Sequence, residues 1–178
     1  KERNGRTKSS APCMIVFCEL MQQFHLIELA KRYGFNHYIN LIFRKNYSAQ
    51  VLKANMRIVG NCEYGLVLYR DKLPKFNNNG QMIFNCMDWS RELGMPKIHN
   101  TQKPIPLLKR LIEIFTDVDD VVIDPCAGSG STLVAAANMG RKAYGLEISK
   151  RFYLDACIAI KNNIQQDIFN ISVQEEKK

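Results

Sequence analysis

The stretch Val121-Val122-Ile123-Asp124-Pro125-Cys126-Ala127-Gly128-Ser129-Gly130-Ser131-Thr132 constrains this chain more than any other. Three β-branched apolar residues in a row read as a strand buried on both faces. Asp124 ends that strand and a Gly/Ser turn follows. A helix of small residues then begins near Ser131, covers Leu133 to Met139, and stops at Gly140. Glycines at 128 and 130 let the backbone pass close to a ligand. The helix start turns free N–H groups and a positive dipole end toward that ligand. Strand, glycine turn and helix in this order present a small molecule at the carboxyl ends of an open α/β sheet.

Two common ligands are disfavoured by single residues. The dinucleotide fingerprint needs a third glycine, where Leu133 stands, and the phosphate loop needs a lysine, where Ser131 stands. Asp124 beside the turn suits a cationic group better than a pyrophosphate. Glu147 closes the next expected strand, Lys142 to Leu146, where an acid takes ribose hydroxyls. An Asp for an ammonium and a Glu for a ribose together describe S-adenosylmethionine. The bland alternative is an ordinary βαβ unit with a tight turn.

The rest of the chain bounds the setting. Its 178 residues suit one domain, and 46% hydrophobic with 24% charged residues is a globular composition. A net charge of +8 favours a polyanionic partner or a membrane surface. No run of 18 apolar residues occurs, so no membrane span is expected, and no signal peptide is visible; a cytoplasmic setting is expected from the cysteines, which read as free thiols of a reducing cytosol. Cys13, Cys18, Cys62, Cys86, Cys126 and Cys157 form no C-x-x-C and sit mostly in apolar runs. They read as free thiols acting as small hydrophobes, without a metal site. Lys1 to Ser10 is a basic terminus, more simply solvated than specific.

Cys13–Cys18 reads as a buried strand. Glu19–Tyr33 reads as a helix carrying Leu20, Phe24, Ile27 and Leu29-Ala30, and Tyr38–Phe43 as a second strand, making one βαβ-type unit. Residues 47–62 are mixed, and Tyr64–Tyr69 is a third strand. Asp71–Asn100 is mostly polar and holds the single tryptophan, Trp89, which is either a nucleic-acid contact or a half-buried anchor. Pro104 and Pro106 open a helix to about Phe115, with Leu107, Leu108, Leu111, Ile112 and Phe115 as one apolar stripe. A second amphipathic helix follows Glu147, with Phe152, Tyr153, Ala156 and Ile160 inward, and residues beyond about Asn163 read as a charged tail.

These segments carry a resemblance. Thr101-Gln102-Lys103-Pro104, an amphipathic helix, Asp124 to Thr132, then Gly145-Leu146-Glu147-Ile148 resemble the β-class DNA amino-methyltransferases, which methylate N6 of adenine or N4 of cytosine. Cys13–Cys18, Tyr38–Lys45 and Asn61-Cys62-Glu63-Tyr64 are similar to the strands that follow the family's catalytic loop. The likeness covers most of residues 12–160. It implies a Rossmann-like α/β fold, a mostly parallel sheet flanked by helices, in circularly permuted order. Residues 1–178 would form one methyltransferase domain, with 12–70 the remainder of the catalytic half, 71–100 a short recognition or linker segment, and 101–164 the cofactor half.

The resemblance also assigns roles. Asp124 and the backbone of Ala127, Gly128, Ser129 and Gly130 would hold the methionine end of S-adenosylmethionine, approached by Thr101 and Lys103. Glu147 would accept both ribose hydroxyls, and Ile148 would pack on the adenine. Cys126 stands where the family commonly has Phe, which leaves the adenine pocket more open. Double-stranded DNA would be the partner; apart from the resemblance, the surplus of Lys and Arg, with Arg44, Lys45, Lys53, Arg57, Arg70 and Lys72 near strand ends or loops, suggests a face that contacts phosphates. A homodimer is compatible with this, and a role in restriction–modification is implied.

An exocyclic base amine is a poor nucleophile, because its lone pair is delocalised into the ring. The family activates it with an Asp/Asn/Ser-Pro-Pro-aromatic loop, on a base flipped out of the duplex. No such loop occurs among the 178 residues. Asp124-Pro125 belongs to the turn, and Ser10-Ala11-Pro12-Cys13 lacks the aromatic. The expectation is therefore an enzyme whose catalytic loop lies on a segment outside this sequence. That segment would bring two strands, one of them between 121–124 and 13–18. Methylation of RNA, a non-catalytic nucleic-acid-binding module and, least favoured, a nucleotide-dependent oxidoreductase are the alternatives.

Overall fold

A computed structural model describes residues 11–47, 50–90 and 102–175, with side chains to 163 apart from Gln50. The chain divides into two compact units, 1–89 and 90–178.

The first unit is built on a four-stranded sheet of order β1-β5-β2-β6, with β1 Met14–Cys18, β2 His37–Lys45, β5 Cys62–Tyr69 and β6 Cys86–Trp89. β5 runs antiparallel between β1 and β2, while β6 lies parallel to β2. The β1–helix–β2 unit expected from sequence is therefore present with β5 inserted between its strands, and this sheet is mixed. Alternation along β2 and β5 sorts the core onto two faces. Leu66 and Leu68 form a buried cluster with Ala30 of α1, Gln22–Arg32. Leu41, Phe43 and Val67 lie buried on the other face, where Phe17 and Trp89 close an aromatic group around Phe43.

Several expectations change here. β1 is half-buried rather than buried, as suits the edge of this sheet. The inward stripe of α1 runs through Gln23, Leu26, Ile27 and Ala30, while Leu20, Phe24 and Leu29 are exposed. The buried Gln23 is placed by Asn40 of β2, whose amide donates to its Oε1, and no periodicity of apolar residues could signal that bond. Trp89 is 4% exposed, a core anchor and not a free contact. Within 71–100 it ends a strand, β6, that four residues were too few to announce. The mixed stretch 47–62 holds a hairpin, β3 Gln50–Lys53 and β4 Ile58–Gly60, joined through a 3-10 turn at Ala54–Met56.

The second unit contains α2 Ile105–Phe115, β7 Val121–Asp124, α3 Ser131–Asn138, β8 Lys142–Gly145 and α4 Lys150–Glu175. α2 buries the expected stripe Leu107, Leu108, Leu111, Ile112 and Phe115, and Ile105 and Ile114 with it. β7 and β8 pair in parallel. The strand expected to be buried on both faces is not: Val121 and Ile123 are 53% and 66% exposed, while Val122 and Asp124 on the other face are half-buried, where α3 packs on the two-stranded pair. α4 continues as helix to Glu175, past the expected start of a tail, in a stretch with neither Gly nor Pro after Gly145. Among its expected inward residues Ala156 is buried and Tyr153 is exposed. Among the described residues no helix is long and apolar enough to cross a membrane.

The cysteines also divide. Burial pushes the Cys13 thiol from its ordinary 9.0 to about 11, and raises Cys18 as well. Cys62 and Cys86 begin their strands and Cys126 lies in the glycine turn, and all three are exposed, contrary to the apolar-run reading.

Candidate functional site

The turn between β7 and α3 is held by the two acids singled out in the sequence. The Asp124 carboxylate accepts the Cys126 N–H at 3.0 Å, folding the chain back at the strand end. Glu147 accepts the N–H of Gly128, nineteen residues earlier, at 2.9 Å with one oxygen and the Ser149 N–H at 2.7 Å with the other. Backbone pairing runs past the ends of the strands: Leu146 N–H reaches the Asp124 carbonyl at 3.0 Å, and Ala127 N–H the Leu146 carbonyl at 2.9 Å. The two strand ends and the turn are thus one hydrogen-bonded unit. Each carboxylate oxygen has further lone pairs, so both acids keep acceptor capacity.

Conformation and packing explain the glycines. Gly128 and Gly130 lie at φ 51° and 75°, in the left-handed region that side chains other than glycine rarely adopt. A Cβ on Gly130 would also stand 3.2 Å from the Ala156 Cβ and 3.3 Å from Ile160 of α4. α3 starts at Gly130 with no side-chain cap, so its first N–H groups are open. Behind the turn, Ser129 and Ser131 share a buried 2.7 Å hydrogen bond. At its far end α3 closes on Gly140 through a double cap, with Gly140 N–H on Ala137 and Arg141 N–H on Ala136.

Gly145 is the residue whose role sequence reasoning missed. A Cβ there would come within 2.7 Å of Leu133 Cδ1 and 2.9 Å of the Ala127 Cβ. Leu133 stands where a dinucleotide turn has its third glycine, which allows helix and strand to approach. Here the close approach is granted from the strand instead. A glycine at the end of β8, facing a leucine in the first turn of α3, was the available signal.

The remaining candidates scatter. Thr101 lies outside the described residues, and Lys103 is half-buried directly before the α2 cap, Pro104. Cys126 is exposed beside the turn, and Ile148 is fully exposed beyond β8. Among the described residues no group of three His, Cys, Asp or Glu could hold a metal ion.

In the first unit, the four cations expected at phosphates have different surroundings. Lys45 is 9% exposed; its ammonium pairs with Glu63 and lies 4.8 Å over the Trp89 ring. Arg44 is exposed and bonded to Asp88 at 2.8 Å, which raises its pKa, though the guanidinium is charged at any working pH regardless. Lys53 and Arg57 are exposed on the hairpin.

Comparison with known proteins gives a coherent set. A family model described as DNA methylase, of the N6/N4 methyltransferases, matches residues 21–159, well over half of the chain. The DNA adenine methyltransferase YhdJ of Escherichia coli (strain K12) is 32% identical over 130 residues, 71% of this chain and 40% of YhdJ. The crystal structure of the M1.HpyAVI–SAM complex superposes with a TM-score of 0.68 at 24% identity, covering 85% of this chain and 74% of that one. The PvuII DNA methyltransferase, cytosine-N4-specific, gives a TM-score of 0.62 at 18% identity, covering 84% and 62%. The chain spans half or less of the length of the curated relatives it matches. The structural likenesses establish the fold as that of the α/β methyltransferases.

Proposed function

This chain belongs to the DNA methylase family, and from that premise we propose that it binds S-adenosylmethionine at the turn after β7 and serves methyl transfer to an exocyclic amine of a base in DNA. The observation that carries the proposal is the pairing of opposite preferences at one turn. The Asp124 carboxylate favours an ammonium, and the uncapped start of α3 favours a carboxylate. The amino-acid end of S-adenosylmethionine presents both. Glu147 lies one strand further on, where a carboxylate meets ribose hydroxyls, and it also fixes the turn through Gly128.

When bound, the cofactor supplies an electrophilic methyl group on sulfur. The chain's own contribution is to position: Asp124, the backbone of 127–130 and Glu147 would fix where that methyl stands, and the family resemblance adds Thr101 and Lys103 for the methionine end and Ile148 for the adenine. In-line transfer gains much of its rate from such placement. Acceptors for the two hydrogens of the target amine are assigned to no residue of this chain. N6 of adenine and N4 of cytosine are both within the family's range, and double-stranded DNA is the proposed substrate. The test incubates the full chain with labelled S-adenosylmethionine and unmethylated duplex DNA, followed by nucleoside digestion. Labelled N6-methyladenine or N4-methylcytosine supports the proposal. Binding of the cofactor with label appearing only on RNA would redirect it, and cofactor binding with no transfer to either nucleic acid, even with a segment bearing the family's Asp/Asn/Ser-Pro-Pro-aromatic loop supplied, would favour a non-catalytic module.

A further inference from the structure

The β3–β4 hairpin stands apart from the four-stranded sheet of its unit. Val51 faces Val59 and Lys53 faces Ile58, with a bulge at Leu52. The tip is the 3-10 turn Ala54–Met56, closed by the Arg57 N–H on the Ala54 carbonyl at 3.0 Å. Arg57 itself sits at φ 56° and ψ 31°, a conformation uncommon outside glycine. Val51, Leu52, Met56, Ile58 and Val59 are all 44–66% exposed, and no other element of the described chain packs extensively on them. A two-stranded ribbon with apolar side chains open to water needs a partner to be worth its cost.

Charge says which partner. From Lys45 to Asn61 the sequence holds three cations and no acidic residue. Lys45 is buried on Glu63, so the cationic surface of this stretch is Lys53 and Arg57, on the hairpin itself. A two-stranded ribbon fits the major groove of B-DNA, where apolar side chains meet thymine methyl groups and cations meet phosphates. We infer that the β3–β4 hairpin is a DNA-contacting arm, with Lys53 and Arg57 on phosphates and the apolar tip around Met56 in the groove. This rests on the reading that the chain acts on DNA. It narrows the phosphate-binding cations to the two that the first unit leaves uncommitted on this arm.

The test measures binding of the full chain to a fluorescent duplex DNA of arbitrary sequence across a salt series. The double variant Lys53→Gln/Arg57→Gln is compared with Lys31→Gln, an exposed α1 control paired with Glu28. The inference expects weaker binding at every salt and a log–log slope smaller by about 1.8 for the double variant, at roughly 0.9 for each phosphate no longer neutralised, with the control unchanged. Arg57→Gly suits the left-handed backbone and keeps the test valid if the double variant unfolds; its slope should shrink by about half as much. Equal slopes for folded variants and parent overturn the inference. So does a parent that self-associates through this hairpin, seen as a dimer by sedimentation that the variant loses while DNA affinity stays. Calorimetry with S-adenosylmethionine separates the remaining case: a parent that binds cofactor but shows no salt-dependent DNA binding sinks the DNA reading itself, and this inference with it.

Discussion

The four-stranded sheet of the first unit and the β7–β8 pair of the second solve the same problem in opposite ways. The sheet β1-β5-β2-β6 is the core of its unit: Phe43, Leu66 and Val67 are fully buried in its strands. The pair β7–β8 has four residues per strand and leaves Val121, Ile123 and Tyr144 exposed. In that second unit the fully buried residues, Ile114, Ala135 and Ala136, belong to helices. The difference teaches where binding chemistry can live. A thick sheet is fixed by apolar burial and its strand ends can vary. A thin one gets its shape from hydrogen bonds at its ends, and here those bonds are made by Asp124 and Glu147, the residues proposed to meet the ligand.

The largest effect that sharpens this contrast is in the first sheet. Phe43→Ala should cost about 3–5 kcal/mol, the usual range for an emptied aromatic core position, read from urea unfolding of the full chain. Gly65 faces the Phe43 ring, where a Cβ would stand only 2.9 Å from it, so the ring fills the space over this glycine and its removal empties it. A loss under about 1 kcal/mol would mean this sheet is not the core described.

Next is the packing of α3 on β8. Gly145→Ala should destabilise by roughly 1–3 kcal/mol through overpacking on Leu133. Adding Leu133→Ala should recover part of that loss, a coupling that a double-mutant cycle reads directly. Additive losses would show that the two side chains do not share the space.

The smallest effect is on the exposed face of β7. Ile123→Thr keeps the β-branched shape and should change stability by no more than about 0.5 kcal/mol. A large loss would show that this face is covered in the folded protein, and the contrast between the sheets would narrow.

Much of the second unit was legible because its signals are local. The α2 stripe, the glycine that ends α3 and the turn from Asp124 to Gly130 each follow from spacing within a dozen residues. What escaped depends on neighbours far away in the sequence. β6 exists because Met87 and Trp89 pair with Phe43 and Lys45, more than forty residues earlier. The burial of Gln23 depends on Asn40, and the burial of Lys45 on Glu63 and Trp89. In the turn, the acids were found as ligand candidates, but not as the acceptors that hold the turn itself. Val121-Val122-Ile123 misled because composition reports what a strand could bury, not how many strands and helices pack against it.

The central claim is that the turn after β7, held by Asp124 and Glu147, is where S-adenosylmethionine binds. Isothermal titration of the full chain with S-adenosylmethionine tests it most directly, with Asp124→Ala and Glu147→Ala measured beside the parent. The account predicts one site in the parent and a loss of about 1–3 kcal/mol of binding in each variant, the cost of leaving a polar partner unmatched. Folded variants that bind as the parent does, or a parent that does not bind, would contradict it.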